Sequence, residues 1–129
     1  MTVLVGYVPT PEGEAAFSAA LAEARRRSEP LLVLNSARSG APVSADVAPE
    51  ERVRELTARA EADGVSLELR QGAHSGEVAD EVLRVAAETD ASVIVIGLRR
   101  RSPVGKLLMG SSAQRILLDA DRPVLAVKA

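Results

Sequence analysis

The residues best suited to chemistry lie between an apolar run ending at Ile96 and a helical pattern beginning at Ser111. Gly97 directly follows the apolar run, and Gly110-Ser111-Ser112 opens the helical pattern. A glycine at a strand end lets a ligand approach the backbone closely. The first N–H groups of a helix lack partners within the helix, so a helix start flanked by hydroxyls favours an anion. These residues predict a phosphate-binding loop.

The intervening loop adds four cations, Arg99, Arg100, Arg101 and Lys106. Guanidinium groups form charge-assisted hydrogen bonds with phosphate oxygens. Each feature also has a plainer interpretation: arginine clusters are often solvated surface, and the two glycines fit an ordinary strand end and helix start. Their coincidence at one strand-to-helix junction favours the anion site.

Other chemistry-bearing residues do not form a recognisable catalytic group. His74 is the single histidine, and a lone histidine makes neither a metal site nor a general base without a positioned partner. We expect His74 to be an exposed loop residue beside Ser75, and Tyr7 to be a core residue. The chain has no cysteine, which excludes a thiol nucleophile and a thiolate metal site. Gly105-Lys106 lacks the upstream spacing and the following hydroxyl of a P-loop.

Composition places the chain in a broad class. Its 129 residues suit one domain, 1–129, and 47% hydrophobic residues with 2% aromatics predict a core of Val, Leu, Ile and Ala. The net charge of −2 gives no general attraction to nucleic acid. No apolar run is long enough to span a bilayer, and the N-terminus lacks a secretory pattern. We expect a cytoplasmic protein that binds neither membrane nor nucleic acid.

Apolar runs and helical spacings alternate along the chain. Continuous runs, typical of strands covered on both faces, are Val3–Val8, Leu31–Leu34, Val93–Ile96 and Val124–Val127, and the alternating run Val65–Leu69 predicts a strand with one wetter face. Helical spacing follows Pro11 (Phe17, Leu21, Ala24), Pro49 (Val53, Leu56, Ala60) and a cap at Ser75 (Val78, Val82, Val85), and recurs at Ala113, Ile116, Leu117 and Ala120. Gly64 is expected to end the second helix in a left-handed conformation. Glu77 is expected in the first turn of the third.

This alternation predicts a mostly parallel α/β sheet with right-handed crossovers. In such a sheet, ligands bind beyond the carboxyl ends of the strands, where the strand order reverses. The segment after Ile96 begins at such an end.

That segment resembles the signature of the universal stress protein family, which is Gly, two residues, Gly, nine residues, Gly, then Ser or Thr. Gly97, Gly110 and Ser111 match it at the right spacing, and Arg100 stands at the second glycine. The chain is similar to the family in element order over its whole length. The resemblance implies an adenine nucleotide α-hydrolase-like fold: a three-layer sandwich with a five-stranded parallel sheet, order 3-2-1-4-5, and four main helices.

The resemblance also implies a function, that of a small stress-response protein that binds ATP or AMP and acts as a regulatory or sensing homodimer. Mg²⁺ is expected only with ATP, and any ATP hydrolysis is expected to be slow and incidental. The phosphate side carries over to Gly97, Arg99, Arg100, Gly110, Ser111 and Ser112, and the adenine and ribose side to Pro9, Thr10, Asn35 and Ser36. The dimer edge carries over to Val124, Leu125, Ala126 and Val127.

Two departures from the family pattern leave alternatives open. Val8 stands where nucleotide-binding members carry an Asp, and one lost hydrogen bond weakens binding by about 0.5–1.5 kcal/mol. Arg100 either obstructs a backbone cradle or replaces it with charge-assisted bonds. A non-nucleotide interaction module of the same fold, its crevice empty or holding a simple anion, is therefore the alternative. An enzyme of the wider adenine-nucleotide α-hydrolase superfamily is a weaker third interpretation, because the chain lacks room for a substrate pocket.

Overall fold

The computed structural model describes residues 1–37, 48–73, 77–98 and 110–129. The strands are β1 (Thr2–Gly6), β2 (Leu31–Ala37), β3 (Leu67–Ala73), β4 (Ala91–Leu98) and β5 (Val124–Lys128), and the described helices are α1 (Pro11–Arg27), α2 (Glu50–Ala62), α3 (Val78–Glu88) and α4 (Ser111–Asp119). All strand pairs are parallel, in the order β3-β2-β1-β4-β5. The expected α/β architecture and strand order are confirmed.

The central strands β1, β2 and β4 are buried on both faces, which explains their continuous apolar runs, whereas the edge strand β5 is only partly buried. Val3, Val5 and Val33 face the layer of α1 and α2, where they pack with Phe17 and Leu56. On the opposite face, the layer of α3 and α4 packs against Leu4, Leu32 and Ile94 through Val82 and Ile116. Burying each such side chain contributes about 1.5–3 kcal/mol, so a polar residue on either face of β1 or β4 would be costly.

Helix α1 begins where the sequence predicts. Pro11 occupies its first position, and the Thr10 hydroxyl accepts a hydrogen bond from the Gly13 N–H at 3.2 Å. Thr10 is therefore a helix cap. The helix ends at Ser28, whose left-handed backbone (φ 56°) allows its N–H to bond to the Ala24 carbonyl.

The second helix stop is confirmed, but the strand after it begins later than predicted. Gly64 takes the left-handed conformation (φ 71°), and the next N–H, that of Val65, donates to the Ala60 carbonyl at 2.9 Å. Val65 thus completes the end of α2, and β3 starts at Leu67, which pairs with Leu31. The prediction of a strand from Val65 was wrong because helix closure uses that residue's N–H.

Strands β1 and β2 also differ from their apolar runs. β1 ends at Gly6, because the chain turns after Tyr7 and the Thr10 N–H bonds to the Val8 carbonyl at 2.8 Å. β2 instead runs past its apolar run to Ala37, paired with β3. Hydrophobic pattern alone misses such extensions, since backbone pairing continues where the side chains become polar.

Helix α3 begins two residues later than the predicted cap at Ser75 implies. Its first residue is Val78, and Glu77 occupies the N-cap position rather than the first turn. The predicted cap Ser75 and the neighbouring His74 lie outside the described residues. Among the helices that the structure describes, none is long and apolar enough to cross a membrane.

The start of α1 lies unusually close to the end of β1. A Cβ built on Gly13 would stand 1.8 Å from the Val8 carbonyl oxygen, a separation that no real side chain tolerates. Gly13 is fully enclosed in the first turn of α1. The absence of a side chain at Gly13 is therefore what allows the first turn of α1 to pack against the backbone that follows β1.

Gly13→Ala is expected to destabilise the protein by about 1–3 kcal/mol, because α1 must shift to relieve the overlap. The measurement is the free energy of unfolding from urea denaturation. Gly6→Ala is the control, since in the described parts of the chain nothing lies within 4 Å of a Cβ built there. Equal stability of the two variants would contradict the argument.

Candidate functional site

A cleft of about 460 Å³ opens beyond the carboxyl ends of β1 and β4. These two strands are neighbours in the sheet although they are far apart in the chain. From β1 the sheet grows outward to β2 and β3 on one side and to β4 and β5 on the other. The cleft therefore occupies the point where the strand order reverses, which is where open parallel sheets bind ligands.

The lining of the cleft is divided by chemistry. Its apolar part includes Leu34, Val82 and Ile116, and its polar part is contributed mainly by the starts of α1 and α4. Of the predicted site residues, those that line it are Thr10, Gly97, Gly110, Ser111 and Ser112. Such a surface suits a ligand that has an apolar ring at one end and an anionic group at the other.

The start of α4 provides the anion-binding feature. Gly110 has φ −64° and ψ 155°, the helix begins at Ser111, and no described side chain caps it. Within the described residues, the N–H groups of the first turn and the positive end of the helix dipole therefore remain available at the cleft. In the described parts of the chain nothing lies within 4 Å of a Cβ built on Gly110, so packing does not require glycine there.

Gly97 lines the same cleft, and the structure gives a reason for glycine at this position that the sequence did not reveal. A Cβ at this position would lie 2.2 Å from the Glu12 carbonyl oxygen. Glycine is thus required by the approach of α1 to the end of β4, whereas the sequence argument attributed it to the approach of a ligand. Together, Gly13 and Gly97 allow the first turn of α1 to form one wall of the cleft.

Of the residues predicted on the adenine and ribose side, one lines the cleft and the others do not. Thr10 lies at the cleft with its hydroxyl engaged by the Gly13 N–H. Ser36 belongs to β2, and Pro9 precedes the cap of α1. Asn35 is fully buried and is not among the residues that line the cleft. Arg99 and Arg100, predicted on the phosphate side, lie outside the described residues.

The Asn35 side chain is part of a buried hydrogen-bond network. Its Nδ2 donates to the Tyr7 carbonyl at 2.8 Å, and its Oδ1 accepts from the Ala48 N–H at 2.8 Å and from Gln71 Nε2 at 3.1 Å. Gln71 Nε2 also donates to the Ala48 carbonyl at 3.1 Å. One amide thereby joins the ends of β1, β2 and β3 to Ala48, two residues before the first residue of α2.

Tyr7 supports the cleft from below and is a core residue, as expected. Its ring makes an edge contact with Phe17 at 6.4 Å, and its hydroxyl donates to Glu14 Oε1 at 2.5 Å. Glu14 also accepts from Arg52 Nη1 of α2 at 3.0 Å. Burial, then the hydrogen bond to Glu14, raises the pKa of Tyr7 well above its usual value. The hydroxyl therefore stays protonated near neutral pH and is unsuited to act as a base.

An ion-pair cluster that the sequence did not predict connects the helices beside the cleft. Arg115 of α4 donates to Glu77 at 2.7 Å and also to Asp80 of α3, and these hydrogen bonds, led by the one to Asp80, raise the pKa of Arg115. Glu77 and Asp80 are exposed acids at the start of α3. Their partner lies 35 to 38 positions away, a separation at which periodicity carries no information.

Sequence reasoning also missed the apolar lining and Glu12. Leu34, Val78 and Val82 were interpreted as core residues only, because their side chains carry no chemistry of their own. Glu12 lines the cleft two positions after the cap at Thr10, and its place after the first strand was the available signal. Within the described residues, no group of three acidic or histidine side chains could hold a metal ion.

Comparison with known proteins gives consistent matches over the chain. The sequence model described as the Universal stress protein family matches residues 1–128. A universal stress protein of Mycolicibacterium smegmatis is 43% identical over 126 residues, covering 98% of this chain and 96% of that protein. The solved structure of a universal stress protein from Archaeoglobus fulgidus superposes with a TM-score of 0.82 at 30% identity, covering 99% of this chain and 98% of that one.

Two further solved structures share the fold and contain nucleotides. A universal stress protein in complex with cAMP has a TM-score of 0.71 at 24% identity, covering 99% of this chain and 96% of that one. A universal stress protein from Archaeoglobus fulgidus in complex with dAMP has a TM-score of 0.65 at 24% identity, covering 99% and 98%. At this identity the likeness establishes the fold.

Asn35→Ala is expected to destabilise the protein by about 2–3 kcal/mol, because it leaves buried backbone groups without partners. Urea denaturation measures the loss. Ser92→Ala is the matched control, since it removes a single hydrogen bond of 3.3 Å to the Thr2 carbonyl and should cost about 1 kcal/mol or less. An unfolding midpoint of Asn35→Ala equal to that of the control would show that the network does not stabilise the sheet ends.

Proposed function

The chain belongs to the universal stress protein family, and we propose that its cleft binds an adenine nucleotide, AMP or ATP. The observation that carries this proposal is the start of α4, which no described side chain caps, at a partly apolar cleft where the strand order reverses. The helix start supplies N–H donors and a positive dipole end for phosphate. The apolar side chains supply a surface for the base.

The phosphate group is assigned to Gly97, Gly110, Ser111 and Ser112, all of which line the cleft. Gly110 supports this assignment, because the space beside it is open in the described structure and can be used by a ligand. Arg99 and Arg100 complete the proposed phosphate side. The base and ribose are assigned to the side of Pro9, Thr10 and the β2 end at Asn35 and Ser36, through backbone groups.

Proteins of the same fold support an adenine ligand. One universal stress protein was solved with cAMP and another with dAMP. We assign the same class of ligand to this chain, with Mg²⁺ accompanying ATP only. The corresponding biological role is a regulatory or sensing function in a cytoplasmic stress response.

The second candidate function is an interaction module that binds a simple anion or nothing. Val8 favours it, because this apolar residue lines the cleft where nucleotide-binding relatives are expected to carry an acid. The anion site at α4 would then accept inorganic phosphate about as well as a nucleotide. Measuring both ligands distinguishes the two functions.

We further propose that the protein forms a homodimer through β5. This strand ends the sheet order, so its outer edge is unpaired within the described chain, and Leu125 is 36% exposed. An unpaired apolar edge strand favours pairing with another strand. A second copy would extend the sheet at Val124–Val127.

Calorimetric titration is expected to show saturable binding of AMP or ATP that is clearly tighter than binding of inorganic phosphate. Gly110→Val should weaken nucleotide binding by about tenfold or more, about 1.4 kcal/mol, because its side chain enters the space assigned to phosphate. Ala62→Val, at the exposed end of α2, is the control for an added valine. Equal responses to nucleotide and phosphate would favour the interaction module instead.

Leu125→Lys is expected to convert the dimer to a monomer, because a charge on the edge strand opposes pairing. Light scattering coupled to size exclusion measures the mass of each variant. Leu118→Lys tests the alternative surface, since Leu118 on α4 is 82% exposed. A monomer with Leu118→Lys and a dimer with Leu125→Lys would assign the interface to the helix and contradict the strand-edge proposal.

A further inference from the structure

We propose that the Glu12 carboxylate makes the cleft select nucleotides by charge, so that it binds a nucleoside monophosphate in preference to a metal-free triphosphate. This inference rests on the proposed nucleotide binding. It concerns a residue that the glycine pattern does not include.

Glu12 is placed at the cleft by the same close packing that forms it. It is the second residue of α1, lines the cleft and is partly buried. Its Cβ lies 3.1 Å from a Cβ built on Gly97, so its side chain starts directly beside the end of β4. The Glu12 side chain therefore starts from the wall formed by α1.

The charge of Glu12 is not offset by the surroundings that the structure describes. No described residue donates a hydrogen bond to its carboxylate or pairs with it. By contrast, Glu14, two residues further along α1, accepts hydrogen bonds from Tyr7 and Arg52. Among the described lining residues, Glu12 is the one with a formal charge. It thus sets the sign of the cleft on the α1 side.

The cleft consequently has two poles. The start of α4 is positive and Glu12 is negative, with apolar side chains such as Leu34 and Val82 also in the lining. A monophosphate can place its one anionic group on α4 and direct hydroxyl or amino donors toward Glu12. A triphosphate brings additional negative charge into a space of about 460 Å³, whose width is comparable to the Debye length of about 10 Å at 0.1 M salt. Solvent ions therefore screen the repulsion from Glu12 incompletely.

A different role for Glu12 is the usual one of an acid in the first turn of a helix, where it interacts favourably with the dipole. That role affects the stability of α1 and would change the affinity for every nucleotide by the same factor. Charge selection instead changes the ratio of the affinities for ATP and AMP. The ratio of affinities therefore separates the two roles.

The experiment titrates wild type, Glu12→Gln and Glu51→Gln with AMP, ADP and ATP in EDTA, and again with excess Mg²⁺. Glu51→Gln is matched, because Glu51 is an exposed acid in the first turn of α2 and its change removes the same charge. In EDTA, wild type should bind AMP more tightly than ATP. Glu12→Gln should raise the ATP-to-AMP affinity ratio by about three- to tenfold, in line with 1.4 kcal/mol per tenfold. Mg²⁺ should reduce this difference, and Glu51→Gln should resemble wild type.

An unchanged ratio in Glu12→Gln, or ATP binding wild type more tightly than AMP in EDTA, would overturn charge selection and leave nucleotide binding intact. A shift of equal size in Glu51→Gln would also overturn it, because the effect would then follow net charge. Absence of saturable binding by all three nucleotides to wild type would overturn both this inference and the proposed function.

Discussion

The structure depends on the close approach of α1 to the ends of β1 and β4. Backbone contacts at Gly13 and Gly97 leave no room for a side chain at either position. Because the helix descends this far, its first turn becomes a wall of the cleft and brings Glu12 to the strand ends. The same descent places Glu14 within reach of Tyr7 and of Arg52 on α2. The two glycines, Gly13 and Gly97, thus determine the shape of the site.

The cleft is held by two further sets of contacts that do not reach its interior. On one side, the buried amide of Asn35 ties the ends of β1, β2 and β3 together. On the other side, Arg115 ties α4 to Glu77 and Asp80 of α3. The first set centres on a fully buried side chain and the second is exposed. They therefore differ in stiffness, because buried hydrogen-bond networks are rigid whereas exposed ion pairs are weak and sensitive to salt. The phosphate side is therefore the more adjustable side of the proposed site.

Much of the fold followed from the sequence, because its signals are local. Apolar runs, the helix start at Pro11 and the stop at Gly64 each depend on a few neighbouring residues, and all are confirmed. The strand order followed from the family resemblance and is also confirmed. Strand bounds near Val65 and Asn35 were wrong or short, since they depend on helix closure and on pairing with a distant strand. At the site, the structure brings Gly97, Gly110, Ser111 and Ser112 together in one cleft, whereas the reason for Gly97 and the contribution of Glu12 required knowledge of how α1 packs.

Tyr7 is the single tyrosine of a chain without tryptophan. Its position beneath the cleft, with its hydroxyl on Glu14 and its ring against Phe17, therefore gives the protein one intrinsic optical probe at an informative place. Near-ultraviolet absorbance and emission arise essentially from this one ring, and both respond to its hydrogen bonding and its packing. Events that move the first turn of α1 can thus be followed spectroscopically without attaching a label, and unfolding elsewhere that leaves this corner intact would be silent.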